Sequence, residues 1–396
     1  MVVMRRLLSK MGLNIIALFI FMERKTCIFC RDAHLKQVLG EGYTIPLGCY
    51  VVADPLHNCK SMPFNILECQ SCHTFQTQYL GDPNVIYDYN ANSHGTIRST
   101  MNERFADFIQ SGLGAEQKTH SLLEIGGGNG ALSELVMERL DECSYTVVDP
   151  TYSGEESGRT IYRQFFEALA PEKIKAEALI MSHVFEHFYE PLNIMETLKK
   201  CRSLKKVYLN FPDLESYIRM DNYHVLNPEH IFYVENEFII RLFEKFGFKF
   251  VKMDYHEKHS VFFEFERYRE DGNTNIALPL LNRYAHWDVP AYINRIFKRI
   301  DTIYEALKQS PGAAFYIWPC SMHTTYLIAF GLDERMVKAV LDNSPHKIGK
   351  YLYGSKKKCL ALQEVLESPE EAVILLNGGC YNAEILNRDY INKKFI

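Results

Sequence analysis

Apolar and polar positions alternate between two periods along the middle of this chain. "SLLEI" (121–125) is a short apolar run that ends in glycines, and "ALSELVMERL" follows with apolar residues at Leu132, Leu135, Val136 and Leu140. The first is strand spacing and the second is helical spacing, so the unit predicts strand, glycine-rich turn, helix. "SYTVVDP" predicts a second strand, "EALIMSHVFEHFYEP" a buried strand running into a loop at His183, and "KKVYLNFPD" another strand. "PEHIFYVENEFIIRLFEKFGFKFVKMDYH" then predicts an amphipathic helix closed by Gly247 and a strand, and "FFEFERY" a last strand. Such alternation implies an α/β fold with a mostly parallel sheet and helices on both faces.

The pattern continues beyond residue 270. "AYINRIFKRIDTIYEALKQ" is a long helical stretch, and "AAFYIWPCSMHTTYLIAFGL" reads as strand, turn, helix. "MVKAVLDNSPHKIGKYLYGS" reads as a strand and an irregular loop, and "EAVILLNGGCYNAEIL" again as strand, turn, helix. These segments predict a second, smaller α/β lobe. Loops at its strand ends can bind a nucleotide or serve a purely structural role.

Length and charge narrow the function. A chain of 396 residues holds two or three domains. A net charge of -5, with Lys356, Lys357 and Lys358 as the one basic run that stands out, argues against nucleic acid as the main partner. At the start, "MGLNIIALFIFM" behind Arg5, Arg6 and Lys10 has the charge and apolarity of a signal peptide without an A-x-A-like cleavage site. The run is also short for a bilayer span. Met22 offers a second start, and residues 1–21 are read as an extension outside the working protein, with a membrane anchor or a cleaved signal as alternatives. A cytoplasmic protein without membrane contact is expected unless that stretch is an anchor.

Cys27 and Cys30 in "CIFC" and Cys69 and Cys72 in "CQSC" have the spacing of metal knuckles. Four thiolates make a closed tetrahedral set for structural zinc, which leaves no open position for catalysis. The alternative is four unligated cysteines. The long spacer must fold as a small lobe, with "YVVADPL" and "FNILEC" as short strands and Cys49, Cys59 and His73 as spare ligands.

The glycine loop carries the most specific chemistry. Gly126, Gly128 and Gly130 form G-x-G-x-G, where a dinucleotide fingerprint has G-x-G-x-x-G. Glu124 sits two residues before the first glycine, and Asp149 ends the second strand, where an acid accepts bonds from both ribose hydroxyls. This set resembles the class I methyltransferases that bind S-adenosylmethionine. The resemblance implies that Gly126, Gly127, Gly128, Asn129 and Gly130 contact the methionine part and Asp149 the ribose. Glu124 would organise the loop and the cofactor's amino group. His183, in an "H-V-x-E-H" segment similar to the one after strand four of such enzymes, would complete the cofactor set.

A four-cysteine lobe, a class I methyltransferase core and a C-terminal α/β lobe together resemble the bacterial sugar C-methyltransferase family. The implied domains are 22–80 (zinc lobe), 81–268 (Rossmann-like methyltransferase core) and 269–396 (C-terminal lobe). "DNSPHKIGKYLYGS" is similar to the family's D-x-x-P-x-K-x-G-x-x-x-x-G segment through Asp342, Pro345, Lys347, Gly349 and Gly354. "WPCSMHTTY" replaces the family's small-residue loop, and Asn227 and Pro228 replace a Tyr and a His before the Glu-His pair. The resemblance implies a nucleotide-activated keto-deoxysugar as substrate, in surface-polysaccharide or natural-product pathways. His230 would be the base and Glu229 its orienting partner. His187 is the second candidate base. Tyr87, Tyr89, His94 and Arg98 would cover the cofactor and face the acceptor, and Lys347 would contact substrate. O-methylation of a sugar hydroxyl, or a zinc-containing binding protein with an inactive methyltransferase lobe, are the alternatives. The oligomeric state is not encoded in these features.

Overall fold

A computed structural model describes residues 21–47, 51–55, 59–86, 96–114, 119–221, 226–268, 289–377 and 393–396. The central unit starts with helix α1 (Thr96–Leu113) and strand β1 (Thr119–Ile125), then α2 (Ala131–Glu138), β2 (Glu142–Val148) and β3 (Arg159–Tyr162). It continues with β4 (Ala178–Ser182), α3 (Pro191–Lys200), β5 (Lys206–Pro212), α4 (Asn236–Lys245), β6 (Phe248–His256) and β7 (Ser260–Arg267). The seven strands lie in the order β3-β2-β1-β4-β5-β7-β6. β3, β2, β1, β4 and β5 run parallel, and β7 inserts antiparallel between β5 and β6. This is the class I methyltransferase sheet, a Rossmann-like α/β fold.

Burial explains the arrangement. β4 is apolar because it is central and covered on both faces, with Leu179, Ile180 and Met181 fully buried. α4 turns Phe238, Ile239, Leu242 and Phe243 inward, and Phe243 stacks on Phe265 of β7 with ring centroids 4.3 Å apart. That spacing is one face of a helix laid on a sheet.

The N-terminal lobe is not closed by its own residues. Leu35–Gln37, Ile66–Cys69 and Phe75–Thr77 form an antiparallel sheet whose outer strand is Phe232–Tyr233, from the connection between β5 and α4. The C-terminal lobe begins with α5 (Val289–Lys308). It continues with β8 (Ala314–Trp318), α6 (Met322–Ala329), β9 (Val337–Asp342), β10 (Cys359–Ala361), β11 (Ala372–Leu376) and β12 (Lys393–Phe395). Its sheet has the order β10-β9-β8-β11-β12 and is wholly parallel. α5 buries Tyr292, Ile293, Ile296, Ile300 and Ile303 in a cluster that also holds Ile45 and Phe64 of the N-terminal lobe and Tyr217 of the central unit. One hydrophobic cluster therefore joins all three parts. Tyr351–Leu352 pairs antiparallel with Val51–Val52 and ties the two outer lobes directly. Among the described residues no helix is long and apolar enough to cross a membrane.

Candidate active site

The site lies at the carboxyl ends of β1, β2 and β4, where parallel strands point their carbonyl ends and loops toward a ligand. Gly126 follows β1 with φ 76°, and a Cβ there would land on Val184, so glycine is what allows the loop after β4 to close over the loop after β1. Gly128 has φ 54°, and a Cβ on it would meet nothing within 4 Å. The loop is thus packed from beneath and open above. α2 starts immediately after it, and its first-turn amides favour polar or anionic groups.

Two carboxylates flank this cradle. Asp149 is 6% exposed; its Oδ2 accepts the Gly128 N–H at 2.8 Å and its Oδ1 accepts the Thr151 N–H at 2.6 Å. Glu124 is 1% exposed and accepts a hydrogen bond from the Tyr145 hydroxyl at 3.1 Å. Burial raises its pKa to about 7, against the partial relief that the Tyr145 bond gives. Tyr145 itself had no signal in the sequence beyond its place on an inward-facing strand. An open glycine cradle with one carboxylate at the β2 end and one beneath the loop fits the hydroxyls and ammonium of S-adenosylmethionine.

Beside the cradle, a short turn after β4 (Phe185–His187) and the segment before Phe232 bring four charged or titratable side chains together. Glu186, which sequence reasoning did not single out although it is the acid of "HVFEH", is fully buried at their centre. Its Oε1 lies 3.1 Å from His183 Nδ1 and 4.0 Å from the Nε2 atoms of both His187 and His230. Burial would push this acid up, but the His183 hydrogen bond and the charges of His183, His187 and His230 outweigh it and hold the carboxyl at about 2. His183, at φ 53°, reaches Ser260 Oγ at 2.9 Å through its other nitrogen. His259 next to it is driven down to about 3 by burial and by neighbouring histidines. Glu229 contacts His187, with Oε2 at 3.8 Å from Nδ1. The His187 and His230 rings stand 5.2 Å apart.

Residues 97–253 match the family model described as a methyltransferase domain. This segment is a methyltransferase domain. The match begins in α1 and ends in β6, so the methyltransferase domain contains the cradle, both carboxylates and the histidine cluster. Similar solved structures include magnesium protoporphyrin IX methyltransferase from Synechocystis PCC 6803 with bound SAH. It is 15% identical over 47% of this chain and 100% of that one, with a TM-score of 0.38. Human N-acetylserotonin methyltransferase in complex with SAM is 14% identical over 47% of this chain and 59% of that one, with a TM-score of 0.34. No curated protein matches the chain.

The remaining expected residues fall in different places. Tyr87, Tyr89 and His94 lie outside the described residues, as does Cys49, and the Arg98 side chain is likewise not described. Lys347 of the C-terminal lobe donates to Asp342 Oδ2 at 2.8 Å and to the Cys320 carbonyl at 2.9 Å. Cys59 accepts the Gly354 N–H, and His73 faces Glu68. The four knuckle cysteines converge: Cys27 and Cys72 sulfurs are 3.4 Å apart, as are those of Cys30 and Cys69. Amides of Phe29, Cys30 and Cys72 point at Cys27 or Cys69 sulfur. Four converging thiols with amide donors form a donor set that fits zinc.

Proposed function

We propose that the chain methylates a nucleotide-activated sugar, at carbon in a keto-deoxysugar, within surface-polysaccharide or natural-product biosynthesis. The observation that carries this reading is the juxtaposition of the open glycine cradle with the Glu186, His187 and His230 cluster, through the contact of Gly126 with Val184. Glu124, Gly126 to Gly130, Asp149 and His183 hold S-adenosylmethionine, which when bound supplies a methyl carbon on a sulfonium sulfur. The chain's own residues supply position and a proton acceptor. The acceptor atom loses a proton as it gains the methyl group, and His230 or His187 takes that proton, with Glu229 beside His187 orienting the pair. Histidine suits this task near neutral pH. Cys27, Cys30, Cys69 and Cys72 bind structural zinc. That lobe then holds the catalytic segment, because the Thr77 N–H donates to the Ile231 carbonyl at 3.0 Å, one residue after His230. Thiolate ligation of zinc suits a reducing, cytoplasmic setting.

O-methylation of a sugar hydroxyl is the second reading, favoured by Asn227 and Pro228 where the sugar C-methyltransferases carry Tyr and His. Mass spectrometry of reactions with S-adenosylmethionine and a panel of nucleotide sugars in heavy water separates the two. Exchange or loss of hydrogen at the methylated carbon supports C-methylation, whereas a methyl on oxygen with intact carbon positions supports the second. No methylated product, with the cofactor still bound, would rule out a free nucleotide sugar.

A further inference from the structure

We propose that Glu186, His187 and His230 form a second metal centre, an open two-histidine, one-carboxylate site for a divalent transition cation beside the cofactor cradle. Each residue offers one ligand atom, and these atoms all lie within 4.8 Å of one another. The two Nε2 atoms sit 4.0 Å from the same Glu186 oxygen. Ligand bonds of about 2.0–2.2 Å in tetrahedral geometry separate ligand atoms by roughly 3.4 Å. Each Glu186–histidine pair therefore closes by about half an ångström, and the widest separation in the set, at most 4.8 Å, by up to roughly 1.4 Å, on ligation.

Three further observations point to an ion. Glu186 is 1% exposed and its Oε2 has no hydrogen-bond partner among the described residues, an arrangement that is costly for a buried carboxylate and that a cation relieves. His187 presents Nε2 to Glu186 and Nδ1 to Glu229, which is the outer-carboxylate pattern that fixes metal-ligating imidazoles. The two segments that supply the ligands are also tied together, since the Ile231 N–H donates to the Glu186 carbonyl at 2.8 Å. Two imidazoles and one carboxylate suit Zn²⁺, Mn²⁺, Fe²⁺ or Co²⁺ better than Mg²⁺, which prefers oxygen and water. Three protein ligands leave a position for an oxygen of the acceptor, in contrast to the closed four-cysteine set. An acceptor hydroxyl or enol held there is acidified by the ion and releases its proton to solvent, so a ligating histidine is not then the base. This role rests on reading the space beside the cradle as the acceptor site; the binding of the ion does not.

The test is a Co²⁺ titration of the full-length protein purified with zinc in its four-cysteine site. The expected result is one further equivalent of Co²⁺, with visible d–d bands and without the strong near-ultraviolet thiolate band. Glu186→Gln and His187→Asn each weaken that equivalent at least about tenfold while S-adenosylmethionine affinity, measured by calorimetry, is retained. Absence of a further equivalent overturns the proposal and leaves the histidines as the carboxylate's proton-bearing partners. Undiminished binding in both variants overturns it as well. Should either variant lose cofactor binding through misfolding, His230→Gln decides on the same readout. Failure of the unaltered protein to bind S-adenosylmethionine would instead strike at the methyltransferase reading and leave the cobalt result standing.

Discussion

Two sheets in this chain share the order of five parallel strands and differ at one corner. In the methyltransferase domain β3-β2-β1-β4-β5 repeats the plan of β10-β9-β8-β11-β12 in the C-terminal lobe. Both second strands lead to an aspartate, Asp149 after β2 and Asp342 at the end of β9. After β1 come glycines, with open space above Gly128. After β8 come Pro319, Cys320 and Ser321, with Trp318 and Cys320 buried. Asp149 accepts amide hydrogens, and no described cation is bonded to it. Asp342 accepts the Ser344 amide and the Lys347 ammonium. At the first corner the carboxylate is held by backbone amides, and the loop is built mostly of glycines. At the second corner a lysine pairs with the acid, and proline, cysteine and serine stand where the first has glycines. Lys347 already gives two of its three N–H donors to Asp342 and the Cys320 carbonyl.

The comparison breaks most visibly at its two aspartates. Asp149→Ala should weaken S-adenosylmethionine binding by roughly a hundredfold or more in calorimetry, since charge-assisted hydrogen bonds contribute about 1.5–3 kcal/mol each. Asp342→Ala should leave that affinity within about twofold. Equal losses would show that the second corner also serves the cofactor.

Glu124 offers a second test. Its carboxyl is raised from 4.5 to about 7 by burial, so the folded, cofactor-free protein binds this proton more tightly than the unfolded chain. The stability it contributes is complete below about pH 4.5 and is lost as pH rises through about 7, an effect of up to ~3 kcal/mol. Urea unfolding of Glu124→Gln beside the unaltered protein should give a stability difference that grows in favour of the variant between pH 5 and pH 7.5 (chosen to span about that window). A difference independent of pH would mean that Glu124 titrates near its ordinary value.

The smallest effect belongs to Lys347→Met. It strands the Asp342 carboxylate, which is 10% exposed in its side chain, and should lower stability by about 1–2 kcal/mol with cofactor binding unchanged. No loss in a thermal melt would mean that the ion pair is dispensable and that Lys347 is available for another partner.

What the sequence made legible was local. The turn between β1 and α2 announces itself through a change of period and three glycines, and Asp149 through its place at the end of an apolar run. The cysteine pairs are visible for the same reason, since each knuckle is four residues long. The histidine cluster was only half visible. His187 and His230 stand out as residue types, but the contact between Glu229 and His187 joins segments more than 40 residues apart. Glu186 lay in plain view inside "HVFEH", yet its burial depends on strand Phe232–Tyr233 packing behind it, with Phe232 against Phe185. Sheet order and the Tyr145 bond to Glu124 likewise arise from long-range pairing, which no window of sequence contains.

That shared strand has a consequence for how the molecule is made. The cysteine lobe leaves the ribosome ahead of the methyltransferase domain, and its sheet lacks its last strand until roughly 150 more residues have been synthesised. At about 5–20 residues per second this is a wait on the order of ten seconds. During that interval the edge of Phe75–Thr77 is unpaired, an exposed template for other chains. Order in the cysteine lobe is thus completed from downstream, and a truncation ending before Tyr233 would leave that lobe unfinished.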